Sequence, residues 1–277
     1  MMNLRHLINL YMTESSTDIQ ARQSEWSQQW SLLQDNELFL FKDWILPNTL
    51  EDFRDKDILE CGCGGGQHTS FIAPIAISIT SVDLNTTEIA KERNKDFSNI
   101  EFIEDDIAKM DLGKKFDIVF SIGVVHHTDN PDMTFENMKR HTKPGGKTIV
   151  WVYSQEGNAL VKYGVEPFRK VFLKNMNRKN LLGLSKLITA LLYIPVYTIY
   201  KLPLKFLPFY EYFDNFRKMS FERNTLNVFD KLNAPQVDFI SKSRISKWFG
   251  NGEYSDVHIN AYKGVSWSGS GTKNNSL

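Results

Sequence analysis

The chain has 277 residues, 42% of them hydrophobic and 24% charged, which suits one large soluble domain or a domain carrying a cap. Basic and acidic residues balance at 33 each, which excludes a bulk electrostatic pull toward nucleic acid or an anionic membrane and leaves room only for a local basic patch. The two cysteines, Cys61 and Cys63, sit too close to bridge and lack the partners of a zinc site, so they read as small buried residues under a turn in a reducing compartment.

Met1–Met12 lacks a long apolar stretch and a small-residue cleavage site, so no signal peptide and a cytoplasmic location are expected. Residues 13–55 read as mainly helical, with Trp26, Trp30 and Leu33 at helical spacing and an apolar run Leu38–Leu46 before Pro47. Strand-like runs follow at Asp57–Glu60, Ile75–Val82, Ile100–Ile103, Phe116–Ile122 and Lys147–Tyr153, the last after the turn Pro144–Gly145–Gly146. Helical stretches Gln67–Ala73, Thr86–Phe97 and Pro131–His141 alternate with them. That alternation, with continuous apolar strands, predicts a parallel sheet covered on both faces.

Residues 156–240 lose the rhythm and hold much of the aromatic content, as a helical cap would. The rhythm returns with a helix Ser243–Phe249, N-capped by Ser241 or Ser243 and stopped by Gly250. Tyr254–Tyr262 and Val265–Ser268 read as two last strands joined by a turn at Lys263–Gly264, and 268–276 as a low-complexity Ser/Gly/Asn tail. The chain thus divides into 1–55, 56–155, 156–240 and 241–277. Leu181–Tyr200 is the most apolar window, but Lys186 and Pro195 interrupt it. Its clean run is far shorter than the roughly 20 residues of a membrane span. A buried or cap helix is expected there, with peripheral membrane contact through 181–210 as the alternative.

Glu60–Gly66 is a glycine loop between a strand and a helix, where glycine permits a sharp turn and close approach of a ligand. A dinucleotide fingerprint from Gly62 would need glycine where Gln67 stands, and no Gly-Lys-Ser/Thr follows for a phosphate-binding P-loop. Glu60 at the strand end repels a pyrophosphate and suits an ammonium group. Asp83 ends the next strand, 21 residues after Gly62, where an acid receives ribose hydroxyls. Glu104–Asp105–Asp106 follows the third strand, where a carboxylate accepts from an adenine amino group. The ligand so described is compact, carries an amino group and has no phosphate, which fits S-adenosylmethionine.

The segments LECGCGGGQHT (59–69), VDLN (82–85), EDDI (104–107), FDIVFSIGVVHHTDNP (116–131) and KPGGKTIVWVY (143–153) resemble the ordered motifs of class I S-adenosylmethionine-dependent methyltransferases, in particular the ubiquinone-type and small-molecule group. The resemblance implies an α/β fold with a doubly wound, mostly parallel, seven-stranded Rossmann-like sheet, an N-terminal helical segment and a helical cap inserted after the fifth strand. It implies that Glu60 contacts the methionine amino end, directly or through water, and that Gly62, Gly64 and Gly66 line the cofactor. Asp83 with Leu84 would hold the ribose, Asp106 with the Ile107 backbone the adenine, and Ser121 would border the same site.

Methyl transfer needs position and, for a hydroxyl acceptor, a general base; no metal is expected. His126 or His127 is the candidate base, with His126 favoured by the resemblance. Tyr153, Glu156, Asn158 and Arg169, near the end of the fifth strand, are candidates to touch the acceptor. The bulky cap suggests a small-molecule acceptor that is apolar, lipid-linked or sugar-containing. A nucleic-acid or protein methyltransferase is the alternative, disfavoured by zero net charge and the lack of a binding module. A non-catalytic binder of the cofactor and a nicotinamide oxidoreductase are weaker alternatives, the latter disfavoured at Gln67 and Glu60. No nucleic-acid partner is expected.

Overall fold

A computed structural model describes residues 30, 37–173, 176–233 and 237–275. The strands are β1 (Asp57–Cys61), β2 (Ser78–Asp83), β3 (Ile100–Glu104), β4 (Phe116–Ile122), β5 (Thr142–Tyr153), β6 (Tyr254–Tyr262) and β7 (Ser266–Lys273). They form one sheet in the order β3-β2-β1-β4-β5-β7-β6. The first five are parallel, and β7 runs antiparallel to both β5 and β6. This is the doubly wound, mostly parallel sheet that the strand–helix alternation predicted. Its order reverses between β1 and β4, which opens a crevice at their carboxyl ends.

The central strands are apolar on both faces because both faces are covered. Ile58, Ile118, Phe120, Ile122, Ile149 and Trp151 point to one core; Leu59, Val119, Val150 and Val152 point to the other. The period of two along β1, β4 and β5 separates the sets. The first core packs α1 (Leu38–Trp44), α2 (Gln67–Ile72) and the cap, and the second packs α4 (Pro131–His141) and α8 (Lys242–Trp248). α3 (Thr87–Arg93) crosses from β2 to β3. Asn130 caps α4 by accepting from the Met133 amide at 3.1 Å, with Pro131 in the first turn. Ser241, the first of the two caps considered, accepts from the Arg244 amide and starts α8.

The cap comprises a helical stretch wound partly as π-helix over Val161–Leu173, then α5 (Arg178–Tyr197), α6 (Tyr210–Phe216) and α7 (Phe221–Asn233). It leaves and returns at one place, since Ser154 bridges Ile240 and the Ile240 amide donates to the Tyr153 carbonyl. Trp26 and most of 13–36 lie outside the described residues.

Three strand boundaries differ from expectation by three residues or more. β5 begins at Thr142, through the Pro144–Gly145–Gly146 segment expected as a turn, and its pairing with β4 is irregular there. β2 begins at Ser78, because Ile75 and Ile77 belong to the turn between α2 and the strand. β7 runs on to Lys273 through residues that looked like a polar tail. Its glycines serve close packing: a Cβ on Gly269 would stand 2.9 Å from Ile245 and Phe249, and one on Gly271 3.0 Å from Phe249. Glycine lets α8 lie against the strand, so the low β-propensity is overridden by tertiary contact. The hairpin turn falls at Lys263–Gly264, both with positive φ, closed by the Val265 amide on the Tyr262 carbonyl.

Candidate functional site

A cavity of about 470 Å³ opens at the crevice, within the range of small-molecule sites. It runs from the glycine loop to the cap. At the loop, the Gly62 and Cys63 amides both donate to the Val82 carbonyl, and the Gly66 amide donates to the Cys63 carbonyl. Asp83 Oδ2 accepts from the Gly64 amide at 2.9 Å. These four amides are therefore spent inside the protein, so the loop offers no cluster of free N–H groups to a pyrophosphate. Gly62 has φ +83°, and a Cβ there would stand 2.5 Å from Val124.

Gly62, Gly64, Asp83, Leu84, Asp106 and Ile107 all line this end of the cavity, as does Asp105. Asp106 also caps its own turn, accepting from the Ala108 amide at 2.9 Å, with Lys109 Nζ 3.1 Å from its other oxygen. Three predicted contacts lie elsewhere. Gly66 faces α3, where a Cβ would meet the Asn94 side chain at 2.5 Å and Ala90 at 2.9 Å, so it serves packing. Ser121 is buried and donates to the Cys61 carbonyl at 2.7 Å, tying β4 to the end of β1. Glu60 is wholly buried under the loop, accepting from Thr69 and Ser81, and does not reach the cavity wall.

His68 stands between Glu60 and the cavity, its Nδ1 3.7 Å from Glu60 Oε1. Burial pushes the Glu60 carboxyl up to about 8. Burial, with Arg223 nearby, takes His68 down to about 3. The pair is neutral at pH 7 and is no ion pair, despite its proximity. The unfolded carboxyl titrates near 4.5, so the folded state holds the extra proton between 4.5 and about 8. The Glu60 contribution is full at low pH and falls as pH rises through that window, while His68, lowered from 6.5 to about 3, contributes the opposite slope below 6.5, so the fall shows between 6.5 and about 8. Glu60→Gln should flatten the fall, read as unfolding midpoint against pH; an unchanged slope would exclude Glu60 as its source.

The histidine pair divides. His126 is 0% exposed, with its ring 4.2 Å from that of His127 and 4.3 Å from that of Tyr153. Burial, reinforced by His127, holds its pKa well below the usual 6.5. His127 lines the cavity instead. Of the two candidates, His127 and not the favoured His126 reaches the cavity, because the short 3₁₀ turn Val125–His127 sends adjacent side chains to different sides.

The acceptor candidates divide too. Tyr153 lines the cavity and donates to Asp230 Oδ2 at 2.8 Å; burial and that carboxylate raise its pKa well above 10. Asn158 lines it while donating to the Ser154 and Val265 carbonyls, which pins the cap to the hairpin turn. Glu156 accepts from the Lys242 amide and Trp267 Nε1, away from the cavity. Arg169 lines a separate small cleft beside Tyr153 and stands 4.0 Å from Glu166. These two are corrections: chain proximity to β5 does not place a side chain at its tip.

Sequence reasoning missed the far wall. Arg223, Asn227, Asp230 and Lys231 of α7 face the cavity, with Tyr212, Asn215 and Tyr262 beside them. Their spacing of four, three and one marks a polar helix face opposite the buried Val228, Phe229 and Leu232. That pattern was present in the sequence, but not which surface it would meet. Trp30 and Trp44 also line the cavity, Trp30 lying over Gly64 and Trp44 closing from α1.

Residues 59–150 match the family described as a methyltransferase domain. The ubiquinone biosynthesis O-methyltransferase of Rickettsia conorii is 27% identical over 116 residues, 40% of this chain and 39% of that protein. Its namesake in Chelativorans sp. is 30% identical over 118 residues, 41% of this chain and 47% of that one. The chain thus spans about two fifths to one half of these relatives. An O-methyltransferase family protein from Burkholderia thailandensis superposes with a TM-score of 0.52 at 12% identity, over 94% of this chain and 61% of that one. At that identity the likeness concerns the fold.

Proposed function

We propose that the chain is a class I S-adenosylmethionine-dependent methyltransferase, its residues 59–150 matching a methyltransferase domain, and that it transfers a methyl group to a hydroxyl of a small, partly apolar acceptor. The observation that carries the proposal is the continuity of one cavity from the glycine loop, Asp83 and Asp106 to His127 and the polar face of α7. Donor and acceptor then share one enclosed space, as in-line transfer requires. The relatives' O-methyltransferase names support a hydroxyl acceptor.

The cofactor, when bound, supplies a methyl group on a sulfonium sulfur. Asp83 holds the ribose edge, and Asp106 with the Ile107 backbone the adenine edge. The acids around the loop favour a cationic ligand. His127 takes the proton of the acceptor hydroxyl. Asn227, Arg223 and the Tyr153–Asp230 pair orient the polar part of the acceptor, while Trp44, Trp151 and Met219 contact its apolar part. A cytoplasmic location belongs to the same proposal.

Purified chain incubated with S-adenosylmethionine and hydroxylated aromatic, prenylated and glycan acceptors should form the demethylated cofactor and an acceptor heavier by one methyl. Absence of turnover with every hydroxyl acceptor would overturn the proposal. Asp83→Ala removes both the ribose acceptor and the anchor of the Gly64 amide. Calorimetry should show cofactor affinity weakened by about 1–3 kcal/mol, and unchanged affinity would remove the ribose assignment.

A further inference from the structure

We propose that the outer face of the cap docks flat on an anionic lipid bilayer, through the outward stripe of α5 and the segment that follows it. Among the described residues, twelve of the seventeen well-exposed large apolar side chains fall between Leu160 and Phe206. α5 shows the arrangement most clearly. Leu181, Ser185, Thr189 and Val196 are buried toward the domain, whereas Leu187, Leu191 and Ile194 are 57%, 56% and 64% exposed. The outward residues follow a spacing of four and three, so they form one stripe on the side where a water-facing helix carries polar groups. Ile199, Leu202 and Phe206 extend the apolar surface, Phe206 at 81% exposure.

The charge of the segment selects the occupant. Residues 167–210 hold eight Lys and Arg and no Asp or Glu, in a chain whose charges cancel only when this segment is counted with the rest. Lys179, Lys186, Lys201 and Lys205 are exposed. Exposed apolar side chains flanked by lysines, without an acid among them, complement a negatively charged lipid surface, with lysine stems lying along the acyl boundary.

α5 is long and apolar enough to cross a membrane, but its inner side is committed to the protein. Tyr193 accepts from Asn224 of α7 at 3.0 Å, and just beyond the helix Arg217 donates to the Tyr200 carbonyl at 2.7 Å. Lying in the interface keeps these contacts; crossing would break them. Because α7 also carries the cavity's far wall, docking would hold the acceptor pocket beside the lipid. That benefit rests on the proposed transfer to a partly apolar acceptor; the docking does not.

The full chain should co-sediment with phosphatidylcholine vesicles containing phosphatidylglycerol at least about ten-fold more tightly than with phosphatidylcholine alone, and salt should weaken the binding. L187S/L191S/I194S should lose it about ten-fold, with unfolding midpoint and cofactor affinity unchanged. K186E/K201E/K205E should abolish the preference for phosphatidylglycerol. Failure to bind either vesicle, or equal binding by the serine variant, would overturn the proposal. So would retention through a carbonate wash, which means crossing. Self-association removed by the same serines without vesicle binding would assign the stripe to a second copy instead. The assay needs no methyl donor or acceptor, so binding without turnover would count against the proposed activity and leave the docking standing.

Discussion

His127→Ala should lower turnover by about 10²–10⁴-fold while leaving cofactor affinity unchanged, the loss expected when a general base is removed. His127 lines the cavity at the end of the crevice, between the glycine-loop half and the α7 wall. The sharper test is the contrast with its neighbour. His126 has no hydrogen-bond partner at either ring nitrogen and sits between the rings of His127 and Tyr153. Its ring is fully buried and does not line the cavity. His126→Ala should cost stability through the void it leaves, roughly 2–5 kcal/mol, and affect turnover mainly through that loss. Steady-state kinetics beside thermal unfolding separates the two. If His126→Ala abolishes turnover in a stable protein and His127→Ala does not, the assignment of the base is reversed.

Gly62→Ala should abolish cofactor binding in a chain that still forms the sheet. The φ of +83° costs an L-residue about 1–2 kcal/mol. The added Cβ would press on Val124 at 2.5 Å. Relief requires the loop to move from Val82, which now holds both the Gly62 and Cys63 amides, and any such movement displaces the Gly64–Asp83 contact. Gly113→Ala is the control: it also has positive φ but meets nothing within 4 Å, so it should be felt only as local backbone strain. Calorimetric titration with the demethylated cofactor reads both. Ordinary affinity in Gly62→Ala would mean that Val124 yields and the loop's shape is not what selects the ligand.

The parts of the site legible in the sequence are those where a local rule fixes the position. Gly62 follows a strand and needs positive φ; Asp83 and Asp106 end or follow strands at the carboxyl side of a parallel sheet. Each reaches the cavity by virtue of the backbone that carries it. Glu60 was placed at the correct strand end but on the wrong side of the turn, because the alternation of β1 and the fold of the loop over it bury its carboxyl under Thr69 and Ser81. His126 and His127 are adjacent, so no periodicity ranks one over the other; the 3₁₀ turn does. Glu156 and Arg169 lie near the tip of β5 in sequence, yet Glu156 is held by Lys242 and Trp267 from the last helix and strand.

The amino-acid sequence by itself determined the alternating strands and helices, the two-sided burial of the sheet and the placing of a glycine turn and acids at the carboxyl ends of its strands. All of these follow from short-range patterns of apolar residues, glycines and acids. Tertiary structure alone decided which histidine meets the cavity, that α7 supplies its far wall, and that a Ser-Gly tract becomes a strand against α8. In each of those cases the outcome depends on which distant surface a segment packs against, and no local pattern carries that partner's identity.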